Sequence, residues 1–144
     1  MIKLVALVTF FTASFSLAAN NLDHKHHTHK AKAAIENLNL NSGHKWLVDS
    51  HTKKMAMEMK NSFFSASHAN LNSLNKLGKT LFEQKDKLIA GCTMTGDAHG
   101  QLHVFLQSHI PAIIALKDAD NYQDARNQAI KLKGQFALFE QFFE

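Results

Sequence analysis

Four stretches of the chain carry apolar side chains at the spacing of an α-helix, and short polar breaks separate them. The predicted helices cover about residues 47–68, 73–91, 97–118 and 120–143. The fourth has the clearest seam, because its apolar positions alternate steps of four and three along Ala125, Ala129, Leu132, Phe136, Phe139 and Phe143. Short breaks make neighbouring helices antiparallel. The pattern therefore predicts an all-α, antiparallel up-down-up-down four-helix bundle over residues 46–144.

Glycine and proline refine these boundaries. Gly91 is expected to end the second helix. Pro111 lacks the amide hydrogen that would bond to the carbonyl of Gln107, so we expect it to kink or split the third helix. With one proline and six glycines among 144 residues, the rest of the chain offers few interruptions to helix.

The first nineteen residues have the pattern of a secretory signal peptide. Lys3 precedes an apolar run over residues 4–15, and small residues stand just before Asn20. The run is too short to span a membrane, and no later segment qualifies. We therefore expect a Sec-type signal peptide over residues 1–19 and export, with the bacterial periplasm as the compartment.

Residues 20–45 form a polar leader that we expect to be disordered. It carries four histidines between residues 24 and 29. Histidine-rich tracts chelate metal ions weakly, and an equal interpretation is a solvated tail without a specific role. Neither interpretation gives a defined site.

The balance of charge and the single cysteine narrow the function classes. A formal net charge of +4, spread along the chain, argues against a nucleic-acid partner. Cys92 has no second cysteine with which to form an internal disulfide. Three roles stay open for its thiol: a small buried side chain, a disulfide between two copies, or a metal ligand.

The most informative stretch runs from Cys92 to His103. His99 and His103 are four residues apart and share one face of the predicted third helix. Antiparallel packing brings the start of the first helix to the same pole of the bundle. Sulfur and imidazole donors suit copper or zinc better than calcium or magnesium. The candidate metal ligands are His99 and His103 first, Cys92 as a thiolate, and Met94, His51 and Met55 as auxiliary donors.

Each of these candidates also has a structural interpretation. A histidine on an apolar helix face, such as His51 or His109, is more often a hydrogen-bonded core residue than a ligand. Met55 and Met59 are more often core filler. Met57 points away from the apolar row that Met55 and Met59 form on the predicted first helix. Together with Phe64, it predicts a second contact surface.

The second half of the chain resembles the small periplasmic cytochrome b562 bundles. The resemblance lies in a long third helix, a short turn and a final amphipathic helix, here around residues 115–126. It implies a b-type haem between helices, with histidine and methionine as axial ligands. That family places its haem histidine in the last helix, whereas the predicted fourth helix has no histidine and Glu140 falls near that position. Covalent c-type haem is excluded, because no CxxCH motif is present.

A second resemblance covers residues 38–106. The segment LNLNSGHKW at residues 38–46, with Asp49, and the segment CxMxGxAHxxLHxFL at residues 92–106 resemble small secreted bacterial helical proteins without an established activity. The resemblance implies that Lys45–Trp46 and the Cys/Met/His/His run belong to one feature. It implies no ligand and no catalytic residue.

Catalysis is not expected. Gly100 follows His99, so the glutamate of a zinc-protease HExxH motif is missing. We expect a non-catalytic periplasmic metal-binding protein, with copper ranked ahead of zinc and haem. The alternatives are a b-type haem electron carrier and a structural or interaction bundle without a cofactor, bound to another periplasmic protein or to a second copy through Cys92.

Overall fold

A computed structural model of the chain describes residues 35–144, and the predicted signal peptide and residues 20–34 of the leader lie outside this range. The described residues form four α-helices and no β-strand. The helices are α1 (Ser50–Ser65), α2 (Leu71–Gly91), α3 (Gly96–Lys117) and α4 (Tyr122–Phe142). The expected all-α four-helix fold is therefore correct.

Side-chain caps explain where three of the helices begin. Asp49, Asn70 and Asn121 each accept a hydrogen bond from a backbone N–H inside the helix that follows. Such caps satisfy amide groups that have no partner within the helix. These starts therefore follow from local sequence chemistry.

The contacts between neighbouring helices pair the start of one with the end of the next. His51 near the start of α1 contacts Lys87 near the end of α2, whereas Asn75 near the start of α2 contacts Ala119 just beyond α3. In the same way, the Phe105 ring packs on the Phe139 ring. This register is that of antiparallel neighbours.

Two glycines allow α2 to approach its neighbours closely. A Cβ atom on Gly78 would lie 2.5 Å from the backbone of Lys117 in α3, and one on Gly91 would lie 2.3 Å from the His51 ring in α1. Helix α2 packs closely on α1, α3 and α4, whereas α1 and α4 meet mainly through long side chains such as Phe63 and Phe136. The bundle is therefore tight around α2 and wider between α1 and α4.

Pro111 lies inside α3 without splitting it. The helix is continuous from Gly96 to Lys117. Ala112 and Ile113 beside the proline are buried in the core, while Pro111 itself is exposed. Packing of the flanking residues holds the helix together across the missing hydrogen bond.

The residues before α1 form what we call the N-terminal strap, residues 35–48. Leu38 is only 7% exposed and belongs to the hydrophobic core. Trp46 pairs with Phe143 in a short parallel bridge just after α4. The folded unit therefore begins before residue 46, because apolar side chains in the part assigned to the polar leader are packed on the bundle. None of the helices described between residues 35 and 144 is long and apolar enough to cross a membrane.

Candidate functional site

Two imidazoles converge near the start of α3. The Nε2 atoms of His99 and His103 lie 3.0 Å apart, and the ring centroids are separated by 4.5 Å. One turn of helix separates the two residues, so both side chains leave the same face. His103 is exposed and His99 is half-buried. The pair is therefore open to solvent.

The 3.0 Å contact is a hydrogen bond in which the Nε2–H of one ring donates to the Nε2 of the other, and the same separation would allow both nitrogens to bind one metal ion once that proton is released. Two metal–imidazole bonds of about 2.0–2.1 Å across a 3.0 Å gap would enclose an angle of about 91–97° at the metal. Neighbouring positions around a square-planar or tetragonal ion lie near this angle. A tetrahedral angle would need the nitrogens about 3.3–3.4 Å apart for the same bond lengths.

The strap fixes the surface beside the histidine pair. Gln101, between the two histidines, accepts a hydrogen bond of 2.8 Å from the backbone N–H of Asn39. The indole N–H of Trp46 donates to the carbonyl oxygen of Asn39 at 2.6 Å. The segment containing Lys45–Trp46 therefore lies at the same pole as the start of α3.

Asp49 attaches the loop between α2 and α3 to the start of α1. One carboxylate oxygen accepts the N–H of Thr52, and the other accepts the N–H and hydroxyl of Thr93, at distances of 2.6 to 2.9 Å. The Thr52 bond, and more weakly the Thr93 bonds, hold the pKa of Asp49 below its usual range, although burial opposes them. Asp49 thus orders the loop that carries Cys92 and Met94.

Cys92 and Met94 face the core rather than an open site. Both are half-buried and pack against the hydrophobic cluster, and the thiol of Cys92 is free. Across residues 35–144, no three side chains of the His, Cys, Asp or Glu types are grouped so that they could hold an ion. Cys92 therefore does not complete a three-donor set with His99 and His103.

The two auxiliary candidates on α1 are engaged in packing. The Nε2–H of His51 donates to the backbone carbonyl of Lys87 at 2.9 Å, and its ring lies against Gly91. Met55 is 6% exposed within the core cluster. Of the six candidate ligands, only His99 and His103 lie together with nitrogen atoms at a shared, accessible point.

The buried His109 belongs to a polar network inside the bundle. Its Nδ1–H donates to Oε1 of Gln135 at 3.0 Å, and Nε2 of Gln135 donates to the carbonyl and hydroxyl oxygens of Ser108. Burial lowers the pKa of His109 to about 4, against a smaller opposing effect of the Gln135 bond. His109 is therefore a neutral core residue with its partner in place.

The interior beside His109 has no room for a large cofactor. The cavity there holds about 20 Å³ and is walled by apolar side chains, among them Met59, Leu88 and Phe139. Organic ligands and cofactors occupy spaces of roughly 300–1,000 Å³. A b-type haem would require the described core to open.

Sequence patterns did not reveal the residues that support this pole or the partner of the buried His109. No sequence pattern identifies Gln101 or Gln135, because their hydrogen-bond partners lie 62 and 26 residues away in the chain. Asp49 gave a local signal as a helix cap, but its bonds to Thr93 depend on tertiary packing.

No protein-family model matches the chain, and comparisons with curated proteins and with solved structures find no match.

Proposed function

We propose that this protein is an exported, non-catalytic metal-binding protein that holds one copper ion on the His99–His103 pair. The observation that carries the proposal is the 3.0 Å separation of two accessible Nε2 atoms. Each imidazole would give one lone pair to the ion, and its Nδ1–H would remain available to water. The other coordination positions stay open to solvent or to a ligand from a partner.

Copper(II) suits this pair better than zinc for two reasons. Divalent copper binds nitrogen donors more tightly than the neighbouring first-row metals, and it favours tetragonal geometry. The nitrogen separation is close to the one that two adjacent positions of that geometry require. Two ligands with open positions fit a carrier that accepts and releases copper rather than a closed structural site.

The first test measures copper(II) binding to the mature chain lacking residues 20–30, which removes the four clustered histidines of the leader. We expect one copper(II) per chain by calorimetry and coupling to two nitrogens in the electron paramagnetic resonance spectrum. Either single substitution, His99→Ala or His103→Ala, is expected to weaken binding by at least about tenfold, which is about 1.4 kcal/mol. Unchanged copper content in the double variant would refute the site.

A matched variant separates the pair from the number of histidines. In His99→Ala/Gln107→His the chelating pair moves one turn along α3, since Gln107 is exposed and four residues beyond His103. We expect this variant to bind copper(II) much as the parent does. A Cys92→Ser variant is also expected to keep its copper(II), because the thiol lies apart from the pair.

A further inference from the structure

Helices α1 and α4 leave an open groove between them, which we call the α1–α4 groove. Two adjacent cavities of about 480 and 250 Å³ lie along it. The rings of Phe64 and Phe136 meet between the cavities, with centroids 6.4 Å apart. The groove follows from the wide spacing of these two helices, whose gap is bridged by aromatic rings instead of close backbone packing.

Apolar side chains are concentrated along this groove. Eight large apolar side chains are exposed among the described residues, and half of them line the two cavities. These are Met57, Phe64, Tyr122 and Ile130, which are between 41% and 57% exposed. They stand on both sides of the groove, so an occupant would contact apolar walls from α1 and α4 together.

The charges on the groove are mainly positive. Arg126 and Lys133 line the larger cavity, where no carboxylate is present, and neither forms an ion pair within residues 35–144. At the other cavity, Lys53 and Lys60 face Glu140 and Glu144, and Lys60 pairs with Glu140. The excess positive charge is therefore located at the end nearest Tyr122.

We propose that the groove binds an amphipathic helix of a partner protein that carries acidic residues beside its apolar ridge. The apolar ridge lies on Met57, Phe64 and Ile130, and the carboxylates meet Arg126 and Lys133. The 16 residues of α1 give the groove a length of about 24 Å, which matches four helical turns. This surface is separate from the His99–His103 pair.

The shape and charge of the groove favour this occupant over two others. Both cavities are open to solvent along the groove, whereas a small-molecule site encloses about 70–90% of its ligand. A second copy of the chain would place two surfaces of the same positive charge opposite each other, which opposes association. An amphipathic helix with acidic residues fits the open shape of the α1–α4 groove and complements its positive charge.

The test uses the mature chain and a fluorescein-labelled 16-residue peptide with leucines at helical i, i+3, i+4 and i+7 positions and glutamates on the flanking face. We expect a saturable rise in fluorescence anisotropy with the protein. Arg126→Glu/Lys133→Glu is expected to weaken binding at least about tenfold, and to bind instead a peptide in which lysines replace the glutamates. Phe64→Ser/Ile130→Ser is expected to weaken binding of the acidic peptide.

Two matched variants control for general charge and hydrophobicity. Lys76→Glu/Lys79→Glu makes the same charge change on exposed positions of α2, and Ile89→Ser/Ile114→Ser removes exposed apolar side chains away from the groove. Both variants are expected to bind the acidic peptide as the parent does. Circular dichroism of every variant checks that the helices are retained.

Three outcomes would overturn the proposal. One is the absence of saturable peptide binding at a protein concentration of 100-fold or more over the peptide. Another is an equal loss of binding in the groove variants and the control variants. The third is a concentration-dependent dimer in the presence of reductant that Phe64→Ser/Ile130→Ser dissociates, since it would make a second copy the occupant.

Discussion

Asp49 connects two separate backbone segments at this pole. Its carboxylate caps α1 through Thr52 and holds the loop before α3 through Thr93. A local motif made the cap predictable, because a short acidic side chain before a helix commonly accepts a backbone N–H. The Thr93 bonds were not predictable, because they join residues 44 positions apart.

Replacing Asp49 is expected to destabilise the protein and to change its acid sensitivity. We expect Asp49→Ala to lower the free energy of unfolding by about 1–3 kcal/mol, through loss of the cap and of two further hydrogen bonds. Because the folded state lowers the pKa of this group, its contribution is complete above about pH 4 and declines as the pH falls. Urea unfolding from pH 7 down to pH 3 measures this decline.

The control for that experiment is Asp49→Asn, which keeps one side-chain oxygen and has no charge to titrate. It should cost less stability than Asp49→Ala at pH 7. A difference between the parent and the alanine variant that stayed constant down to pH 3 would show that the carboxylate does not act through its ionised form.

His109 gives the protein a second dependence on pH. In the folded state its pKa is lowered to about 4, whereas an unfolded histidine titrates near about 6.5. The unfolded chain therefore binds more protons between these values, and stability should rise from pH 4 to pH 6.5 and then level off. The full effect is roughly 3 kcal/mol.

His109→Gln tests this prediction, because glutamine has no charge to titrate and can still bond to Gln135. We expect the variant to be less stable than the parent at pH 7 and to show a flatter stability curve between pH 4 and 6.5. Equal slopes for the two proteins over that range would mean that other histidines cause the pH dependence.

At the scale of elements, the helix boundaries were largely predictable. The expected spans 73–91 and 97–118 differ from α2 and α3 by at most two residues at either end. Apolar spacing and capping residues are local signals, so they identify helices without tertiary information. The effect of Pro111 was less predictable, since packing on both sides of it keeps α3 unbroken.

Close contact between α2 and α3 depends on Gly78. In Gly78→Ala the new methyl group would meet the backbone of Lys117 at 2.5 Å, so the two helices would have to move apart. We expect a loss of about 1–3 kcal/mol of stability, measured by thermal or urea unfolding. The reason is overpacking against backbone atoms that cannot turn away.

Gly100 provides the matched control for Gly78. It also lies inside a helix, but nothing stands within 4 Å of the position where its Cβ would be. Gly100→Ala is therefore expected to stabilise the protein by about 0.5–1 kcal/mol through helix propensity alone. If both variants gained stability, close packing at Gly78 would not be required.

At the scale of the whole molecule, sequence patterns predicted the four-helix fold but not its uneven packing. The clear apolar seam of α4 indicated a bundle helix, but it did not specify how closely each neighbour approaches. The structure packs α2 against all three other helices, and Gly78 and Gly91 remove side chains at its contacts with α3 and α1. The α1–α4 groove is the consequence, and it depends on distances between helices that periodicity does not encode.

The candidate site was only partly predictable, because the spacing of residues along a helix does not fix the direction of every side chain. The i,i+4 spacing of His99 and His103 is local, and the structure brings their nitrogens together. His51 and Met55 depended on the assumption that one pole would gather every donor toward a common point. The direction of each side chain decides this, and theirs are taken up by Lys87 and by the core.

The short bridge between Trp46 and Phe143 joins the segment just before α1 to the segment just after α4. The backbone of Trp46, before α1, exchanges hydrogen bonds with Phe142 and Glu144 at the end of α4, so all four helices lie between these residues along the chain. Joining positions roughly 100 residues apart costs about 4 kcal/mol of chain entropy if the loop is flexible. That cost is overcome only after the helices have assembled, so the closure should be the last step of folding and the first to open. Local unfolding would therefore begin at the Trp46–Phe143 bridge beside the histidine pair, while the hydrophobic core stayed intact.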